Sequence, residues 1–307
     1  MRAVFSTPNG PRRTELRDDA PEPEPAPDEA LVEVRAFAVN RGELALVATR
    51  DEWIPGQDVA GVVVRRAADG SGPGEGARVA GLAEWHGWAE RVPVPTNRIA
   101  VLPDGVTDVQ AAALPMAGTT AANVLTLSPP APPLLGARVL VTGASGGVGR
   151  FAVQLAVLGG ATVTAVARPA RADALRSLGA SEVVAATADA ADAAFDLVVE
   201  SDGGASLTAA FAKVTQGGTI VTFGNSSREP SQVSFPDFAG REAQLRSYFS
   251  FLHAGDAGKR LEALVALVAE GRLDPGVGLE ADWTELDDAL QALTDRAVAG
   301  KVVLRRS

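Results

Sequence analysis

The sequence has no cysteine and only two histidines, His86 and His253, among its 307 residues. Without thiols the chain can form no disulfide bond, use no thiolate nucleophile and offer no sulfur ligand to zinc. Two imidazoles provide few nitrogen ligands in place of the missing sulfur. The composition therefore argues against a buried zinc site, and we expect no metal centre.

Positive charge is also scarce, because 28 Lys and Arg residues are outnumbered by 38 Asp and Glu residues, which gives a net charge of −10. An isoelectric point of about 4.8 indicates no basic face for nucleic acid, and anionic membranes should repel the chain. The longest apolar-rich stretch, residues 151–167, is divided by Gly159 and Gly160, and the amino terminus lacks the apolar core of a signal peptide. We therefore expect a cytoplasmic protein without nucleic-acid or membrane partners.

The length of the chain predicts about two domains. Residues 1–115 are predicted to be β-rich, because apolar and polar residues alternate between Gly and Pro, as in "EALVEVRAFAVN" and "QDVAGVVVRR". The residue composition changes near Ala111. From there the small-residue segment "AAALPMAGTTAANVLTL" predicts a helix, and the segment "SPPAPPLLG" predicts a Pro-rich joint.

Strand and helix patterns alternate from residue 138 to about residue 251. Six apolar strand candidates separated by helices predict a doubly wound parallel sheet, an α/β fold that binds ligands at the carboxyl ends of its strands. After a predicted helix in "GKRLEALVALVAEG", the tail ends in a strand that can return to the first domain. We therefore assign residues 1–115 and 255–307 to a β-rich domain and residues 116–254 to a nucleotide-binding domain.

The segment "VTGASGGVGR", residues 141–150, lies between a predicted strand and a predicted helix. Such a turn presents backbone N–H groups and the positive end of a helix dipole, which together suit a phosphate or pyrophosphate. Glycines keep side chains away from the ligand and let the helix pack against the strand. A tight turn without a ligand is the alternative interpretation of these residues alone.

The end of the next strand indicates which dinucleotide the turn holds. In dinucleotide folds, a residue about 20 positions after the glycines contacts the adenosine ribose, and here that residue is Arg168. An acidic residue would accept hydrogen bonds from a 2′-hydroxyl, whereas Arg168 and Arg171 present charged donors to a 2′-phosphate. These residues predict NADPH as the cofactor, and solvated surface arginines are the alternative.

The pattern "TGASGGVG" is shared by the short-chain reductases, but these need a catalytic tyrosine followed four residues later by lysine, and Tyr248 is followed there by Leu252. Taken in order, "IPGQDVAGVV", "HGWAERVPVP", "AAALPMAGTTAANVL", "GASGGVGRFAVQLA", "VTFGNSS" and "GKVVL" make nearly the whole chain resemble another superfamily. This is the medium-chain dehydrogenases/reductases, specifically their zinc-free quinone oxidoreductase branch. The resemblance implies a GroES-like β-rich catalytic domain, a Rossmann domain for NADPH and a homodimer, and we expect Tyr248 in an edge strand that supports dimer pairing.

The resemblance also implies roles for individual residues. Asn40 would lie near the nicotinamide and donate a hydrogen bond to the substrate carbonyl, Thr120 would contact cofactor or substrate, and Lys301 would reach the cofactor from the returning strand. The pyrophosphate would bind at the turn, through Gly143, Ala144, Ser145, Gly146, Gly147 and Val148. Residues that end later strands would line the nicotinamide side, namely Ser201, Gly224, Asn225 and Ser226.

Several candidate residues have simpler interpretations. Asn40 ends a predicted strand, where asparagine often forms a turn, and Lys301 suits a solvated strand edge. Trp85, His86 and Trp88 could wall a pocket for an aromatic substrate, although packing beneath a loop is the simpler expectation.

Two departures from the superfamily's pattern bear on the reaction. Zinc alcohol dehydrogenases of this superfamily carry a His-Glu pair at the positions of Gln57 and Asp58, and a zinc-binding cysteine near the position of Asn40. Because this chain lacks these ligands, no Lewis acid would polarise an alcohol here. Relatives with enoyl reductase or quinone activity often carry a tyrosine a few residues after the asparagine, where this chain has Ala45 and Leu46. The resemblance therefore implies hydride transfer from NADPH to a small conjugated acceptor without this proton donor.

A quinone tolerates the missing donor better than an enone does, because its reduction places charge on an oxygen that water can stabilise, whereas an enone needs a proton delivered to carbon. The expected function is zinc-independent, NADPH-dependent reduction of a quinone or related conjugated carbonyl. Two alternatives stay open: reduction of an α,β-unsaturated enoyl or alkenal carbonyl, and a non-catalytic NADPH-binding protein that serves as a redox sensor or scaffold.

Overall fold

The computed structural model describes residues 1–10, 12–126, 134–233 and 235–307. These residues form fifteen β-strands: β1 (Ala3–Ser6), β2 (Thr14–Arg17), β3 (Glu29–Val39), β4 (Asp58–Arg65), β5 (Arg78–Leu82), β6 (Arg91–Pro95), β7 (Ile99–Val101), β8 (Arg138–Val141), β9 (Thr162–Val166), β10 (Glu182–Val184), β11 (Phe195–Glu200), β12 (Val214–Thr222), β13 (Gln244–Ser247), β14 (Val277–Asp282) and β15 (Lys301–Arg305). The same residues form nine α-helices: α1 (Arg41–Val47), α2 (Asp108–Ala112), α3 (Pro115–Thr126), α4 (Gly147–Leu158), α5 (Ala172–Ser177), α6 (Gly204–Lys213), α7 (Phe235–Ala239), α8 (Ala257–Ala269) and α9 (Leu286–Thr294). Most of the Pro-rich joint expected at residues 128–136 lies outside the described residues.

The chain divides into two compact units. One comprises Met1–Thr119 and Phe251–Ser307, and the other comprises Thr120–Ser250. The sequence places the two divisions after residues 115 and 254, a few residues away. The first division falls inside α3, where no change in composition marks it.

A six-stranded sheet forms the centre of the unit Thr120–Ser250. Its strands lie in the order β10-β9-β8-β11-β12-β13, and every neighbouring pair is parallel. Helices α4, α5 and α6 connect successive strands, because parallel neighbours need a crossover. The strand order reverses between β8 and β11. Doubly wound sheets bind their ligands at such a topological switch point. The doubly wound α/β fold expected from the sequence is confirmed.

A seven-stranded sheet dominates the other unit. Its strands lie in the order β14-β15-β3-β4-β5-β7, and β6 also pairs with β3. Strand β15 pairs antiparallel with β3 and parallel with β14, so the carboxyl-terminal strand returns to the amino-terminal sheet as predicted. Strands β1 and β2 form a separate antiparallel pair.

Each unit has its own apolar core. The core of the β-rich unit includes Phe37 and Trp88, whose stacked rings lie 5.7 Å apart, and the core of the parallel-sheet unit includes Leu140 and Phe211. Trp88 is completely buried within this core, which confirms that it is a packing residue. Trp85 is only half-buried, with its ring 5.0 Å from that of Trp53.

Two local expectations are corrected. The segment 111–127, expected as one helix, contributes to α2 and α3, because Pro115 lacks an N–H group and starts a new helix. Tyr248 follows edge strand β13 instead of lying in it, and its buried hydroxyl accepts a hydrogen bond from Asn123 Nδ2 at 2.8 Å. Among the helices of the described segments, none is long and apolar enough to cross a membrane.

Candidate functional site

The glycine-rich turn connects β8 to α4 at the carboxyl edge of the parallel sheet. Gly143 has a φ of +56°, which residues with side chains rarely adopt, and Gly146 caps α4. A Cβ on Gly149 would collide with the Gly143 carbonyl oxygen and lie 2.7 Å from Cα of Ala144, so glycine is needed for α4 to pack this closely. The first N–H groups of a helix have no partner within it, and those of this 12-residue helix can bind a phosphate.

The ends of β11 and β12 bring further predicted residues beside the turn. A Cβ on Gly143 would lie 2.6 Å from Ser201 Oγ, and one on Gly224 would lie 2.9 Å from the Ser201 carbonyl oxygen. That carbonyl accepts the N–H of Ser226 at 3.1 Å, and Ser226 Oγ donates to Asp202 Oδ1 at 2.7 Å. The structure therefore brings Gly143, Ser201, Gly224 and Ser226 together, with little room for larger side chains.

Glu200, which sequence reasoning missed, holds this edge of the sheet together. Its carboxyl group accepts hydrogen bonds from the N–H of Asp202 (3.0 Å), the N–H of Gly203 (3.1 Å) and Thr142 Oγ1 (3.3 Å). Thr142 Oγ1 in turn accepts the N–H of Ser201 at 2.9 Å. Burial raises the pKa of Glu200, and the Gly203 N–H opposes that shift. The available signal was a charged residue at the end of the apolar strand "FDLVVE", since a buried carboxyl group needs donors.

The remaining candidates of this unit occupy separate positions. Arg168 is exposed just after β9, the neighbour of β8, and its carbonyl accepts the N–H of half-buried Arg171 at 2.9 Å. Asn225 Oδ1 accepts a hydrogen bond from Ser227 Oγ at 3.1 Å, and Thr120 is buried in α3. Contacts of these residues with a cofactor stay predictions.

The β-rich unit contains four polar side chains at one end of its sheet, Asn40, Glu43, Asp58 and Lys301, called the polar cluster below. Asn40 caps α1 directly after β3, and Glu43 lies in the first turn of α1. Asp58 begins β4 and Lys301 begins β15. Because β3 pairs with both of these strands, residues 261 positions apart in the chain meet here.

The members of the polar cluster are joined by short hydrogen bonds. Lys301 Nζ donates to Asn40 Oδ1 at 2.6 Å and to Asp58 Oδ2 at 2.9 Å, and it lies 3.4 Å from the Val39 carbonyl oxygen. Asn40 Nδ2 donates to Asp58 Oδ2 at 3.0 Å. Two predicted site residues, Asn40 and Lys301, are therefore in direct contact. The cofactor contact expected of Lys301 stays a prediction, and its ammonium group already has acceptors within the protein.

Glu43 is a buried carboxyl group without a full set of partners. Its Oε2 accepts the N–H of Asn40 at 2.6 Å, whereas Oε1 has no partner among the described residues. Burial raises the pKa of Glu43 to about 8; the Asn40 N–H opposes the shift and the charge of Asp58 adds to it. Burial therefore favours the protonated form of Glu43. The sequence "NRGE" fits the capping-box pattern, but that pattern does not reveal burial.

The polar cluster does not fit a zinc ion. Asp58 is ion-paired with Lys301, and its second oxygen accepts the N–H of Met116 at 2.7 Å. The chain has no cysteine, and Gln57, next to Asp58, donates its side-chain amide to the Glu84 carbonyl oxygen at 3.2 Å. Across the described ranges, no group of three or more His, Cys, Asp or Glu side chains could hold a metal ion.

Comparison with known proteins relates this chain to several oxidoreductases. A family model described as zinc-binding dehydrogenase matches residues 178–304. The chloroplast envelope quinone oxidoreductase homolog of Arabidopsis thaliana is 28% identical over 306 residues, which cover 92% of each chain. A trans-enoyl reductase of Aspergillus flavipes is 32% identical over 205 residues, which cover 59% of this chain and 58% of that protein.

Larger proteins match as well. A polyketide synthase of Streptomyces halstedii is 32% identical over 283 residues, which cover 89% of this chain. The chain spans only 5% of that protein's length, and 13% and 8% of two further synthases that it matches.

Solved structures share the architecture of the whole chain. An alcohol dehydrogenase superfamily protein of Novosphingobium aromaticivorans superposes with a TM-score of 0.87 at 26% identity and covers 100% of both chains. A mycobacterial quinone oxidoreductase superposes with a TM-score of 0.85 at 25% identity and covers 99% of both.

These similarities support the assignment of the chain to the medium-chain dehydrogenase/reductase superfamily. Within the superfamily, the quinone oxidoreductase relatives support the quinone oxidoreductase-like branch. The family expected from the sequence motifs is confirmed, and the polar cluster departs from the zinc chemistry that the description of the family model names.

Proposed function

We propose that the chain is an NADPH-dependent, zinc-independent oxidoreductase that reduces a quinone or a related conjugated carbonyl. The observation that carries the proposal is the glycine turn at the reversal of strand order, because its close-packed backbone suits a dinucleotide pyrophosphate. The quinone oxidoreductase relatives support the class of acceptor.

The proposal assigns a role in cofactor or substrate binding to each group of candidate residues. The main chain of residues 143–148 would bind the pyrophosphate, Ser201 and residues 224–226 would border the nicotinamide, and Arg168 with Arg171 would bind the 2′-phosphate. When bound, NADPH would supply a hydride equivalent, and a solvent proton would complete the two-electron reduction of the acceptor. Asn40 Nδ2 would donate to the substrate carbonyl oxygen and stabilise the negative charge that develops there.

Reduction of an enoyl carbonyl is the second candidate. The match to a trans-enoyl reductase favours it. Against it, residues 41–47 form helix α1 without a tyrosine to deliver a proton to carbon. A quinone avoids this requirement because its reduction places the new charge on oxygen, so quinone reduction ranks first.

Calorimetric titration of the cofactor-free protein with NADPH and with NADH tests the cofactor. Hydrogen bonds to charged groups contribute about 1.5–3 kcal/mol, so we expect NADPH to bind roughly tenfold to a hundredfold more tightly than NADH. Arg168→Asp should abolish this preference. Arg176→Asp, an equal charge change at another exposed arginine of the unit, is the matched control and should preserve it. Absence of binding by either nucleotide would contradict the proposal and leave the turn as a structural feature only.

A panel of quinones and enones, assayed by the oxidation of NADPH, then separates the functions. Faster oxidation with quinones supports the proposal, and oxidation with enones alone supports the enoyl alternative. NADPH binding without oxidation by any acceptor would favour the redox sensor or scaffold. Pairing of two copies along edge strand β13 belongs to the same proposal, and the cytoplasmic location expected from the sequence stays a prediction.

A further inference from the structure

Lys301 carries a charge that is almost completely removed from solvent, with only 3% of the residue exposed. An ammonium group has three hydrogens, and the acceptors within reach are Asn40 Oδ1, Asp58 Oδ2 and, at 3.4 Å, the Val39 carbonyl oxygen. The ammonium group is thus directed inward, onto the side chain of Asn40 and its neighbours.

Asp58 is held just as firmly. It is completely buried at the start of β4, and Oδ1 accepts the N–H of Met116 at 2.7 Å. Its other oxygen accepts from both Lys301 and Asn40. The carboxylate therefore has a fixed position and presents Oδ2 to the amide of Asn40.

Only one orientation of the Asn40 amide suits these neighbours. Oδ1 faces the ammonium group of Lys301 and Nδ2 faces the carboxylate of Asp58. Rotation by 180° would place an NH2 group against an ammonium group and a carbonyl oxygen against a carboxylate, which replaces two attractions by two repulsions. The Glu43 carboxyl group also holds the main-chain N–H of Asn40, at 2.6 Å.

We propose that Lys301 and Asp58 are positioning residues that lock the Asn40 amide, so that its second Nδ2 hydrogen is the donor to the substrate's carbonyl oxygen. One Nδ2 hydrogen is used by Asp58, and Asn40 Oδ1 faces the ammonium group of Lys301. The second Nδ2 hydrogen is then a donor of fixed direction, which suits a carbonyl oxygen and the negative charge that develops on it. This inference rests on the proposed function and gives Lys301 and Asp58 a role that acts through Asn40, in place of the direct cofactor contact that the family resemblance implies for Lys301.

The double variant Lys301→Met/Asp58→Asn removes the lock without leaving an unpaired buried charge, and joint replacement of a buried ion pair is often tolerated. We expect kcat to fall roughly tenfold to a hundredfold, because a misplaced donor stabilises the negative charge of the transition state less well. The dissociation constant of NADPH should change by less than about twofold, since in this inference Lys301 acts through Asn40 and not on the cofactor. A larger loss of NADPH affinity would support the direct cofactor contact of Lys301 and overturn the inference.

The other unit offers a matched control. Lys213 is also buried, and its Nζ lies 2.7 Å from Asp192 Oδ1 and 2.7 Å from two backbone carbonyl oxygens. Lys213→Met/Asp192→Asn therefore removes a second buried lysine together with its carboxylate partner, which is exposed in this case, and we expect it to leave kcat unchanged.

Introducing Asn40→Ala into the wild-type protein and into Lys301→Met/Asp58→Asn distinguishes a positioning role from a general structural effect. If Lys301 and Asp58 act through Asn40, the triple variant should have the kcat of Asn40→Ala to within about twofold, because members of one network are not additive. Losses that multiply would overturn the inference.

The fixed orientation of the Asn40 amide can also be tested without an activity assay. The measurement is hydrogen exchange of this side-chain amide, followed by NMR in protein labelled with 15N-asparagine. Asn40→Ala identifies the signal. We expect one Nδ2 hydrogen to exchange slowly in the wild-type protein and both to exchange quickly in Lys301→Met/Asp58→Asn. Two fast hydrogens in the wild-type protein would overturn the lock, whatever the activity. A slow hydrogen combined with no turnover of any acceptor would instead contradict the proposed function, and with it the donor role of Asn40.

Discussion

Each unit buries a glutamate beside its candidate site, but the two glutamates are held differently. Glu200 in the parallel-sheet unit is surrounded by N–H groups of the main chain, from Asp202 and Gly203, and by the Thr142 hydroxyl. Glu43 in the β-rich unit accepts the N–H of Asn40 through Oε2, and its Oε1 has no hydrogen-bond partner among the described residues. Burial raises the pKa of both, to about 8 for Glu43.

The difference extends to the whole of each site. At the glycine turn of the parallel-sheet unit the groups that would face the pyrophosphate are main-chain atoms, whose positions depend on close packing and on the absence of side chains. In the β-rich unit they are side chains whose charges must balance away from water. The first site should therefore be sensitive to added volume and the second to changes in charge and pH.

Adding one methyl group to each site should have opposite effects and gives the largest expected change. Gly149→Ala places Cβ against the backbone of Gly143 and Ala144, which cannot move aside cheaply. We expect it to lower the free energy of unfolding by about 3 kcal/mol or more and to weaken NADPH binding. Gly42→Ala, in helix α1 beside the polar cluster, meets nothing within 4 Å and should stabilise by about 0.5–1 kcal/mol.

Urea denaturation with and without NADPH measures both effects. A Gly149→Ala protein as stable as the wild type would show that α4 does not pack on the turn as described. A destabilised Gly42→Ala protein would show that the polar cluster is as sensitive to volume as the turn, and the contrast between the two sites would fail.

Replacing Glu43 by Gln should reveal how pH acts on the polar cluster. Because the folded-state pKa of Glu43, about 8, lies above the usual carboxyl value of 4.5, the folded state binds more protons between these pH values. This carboxyl group therefore lowers stability as pH rises through that window, by up to about 1.4 kcal/mol per pH unit. Glu43→Gln has no such proton to lose, so its stability relative to the wild type should increase from pH 5 to about pH 8.

Glu285→Gln is the matched control for this titration. Glu285 makes the same capping contact, accepting the N–H of Asp282 at 3.0 Å, but it is exposed. Glu285→Gln therefore shows what the loss of a capping carboxylate at an exposed site contributes to stability at each pH. A constant difference between Glu43→Gln and the wild type would indicate that Glu43 is ionised throughout.

The same contrast explains what the sequence could and could not predict. The parallel sheet, the glycine turn and the return of the last strand follow from local patterns, namely apolar runs, helix periodicity and the spacing of glycines. Pairing of Asp58 with Lys301 depends on which strands become neighbours, and these residues are 243 positions apart. Burial of Glu43 likewise follows from the packing around α1, because its capping pattern also occurs in exposed helices. Asn40 and Lys301 were found through family resemblance, and their direct contact was not expected.

A more modest effect is expected from removing a side-chain hydroxyl next to the glycine turn. Thr142→Val keeps the shape of the buried side chain but removes the hydroxyl that accepts the Ser201 N–H and donates to Glu200. Losing these bonds should cost about 1–2 kcal/mol of stability, measured by urea denaturation. Thr164→Val, in neighbouring strand β9, removes a hydroxyl that donates to the exposed Glu182 at 3.2 Å, so water can replace it and the loss should be smaller. If Thr142→Val instead abolished NADPH binding, the turn would depend on this hydroxyl and not on main-chain packing alone.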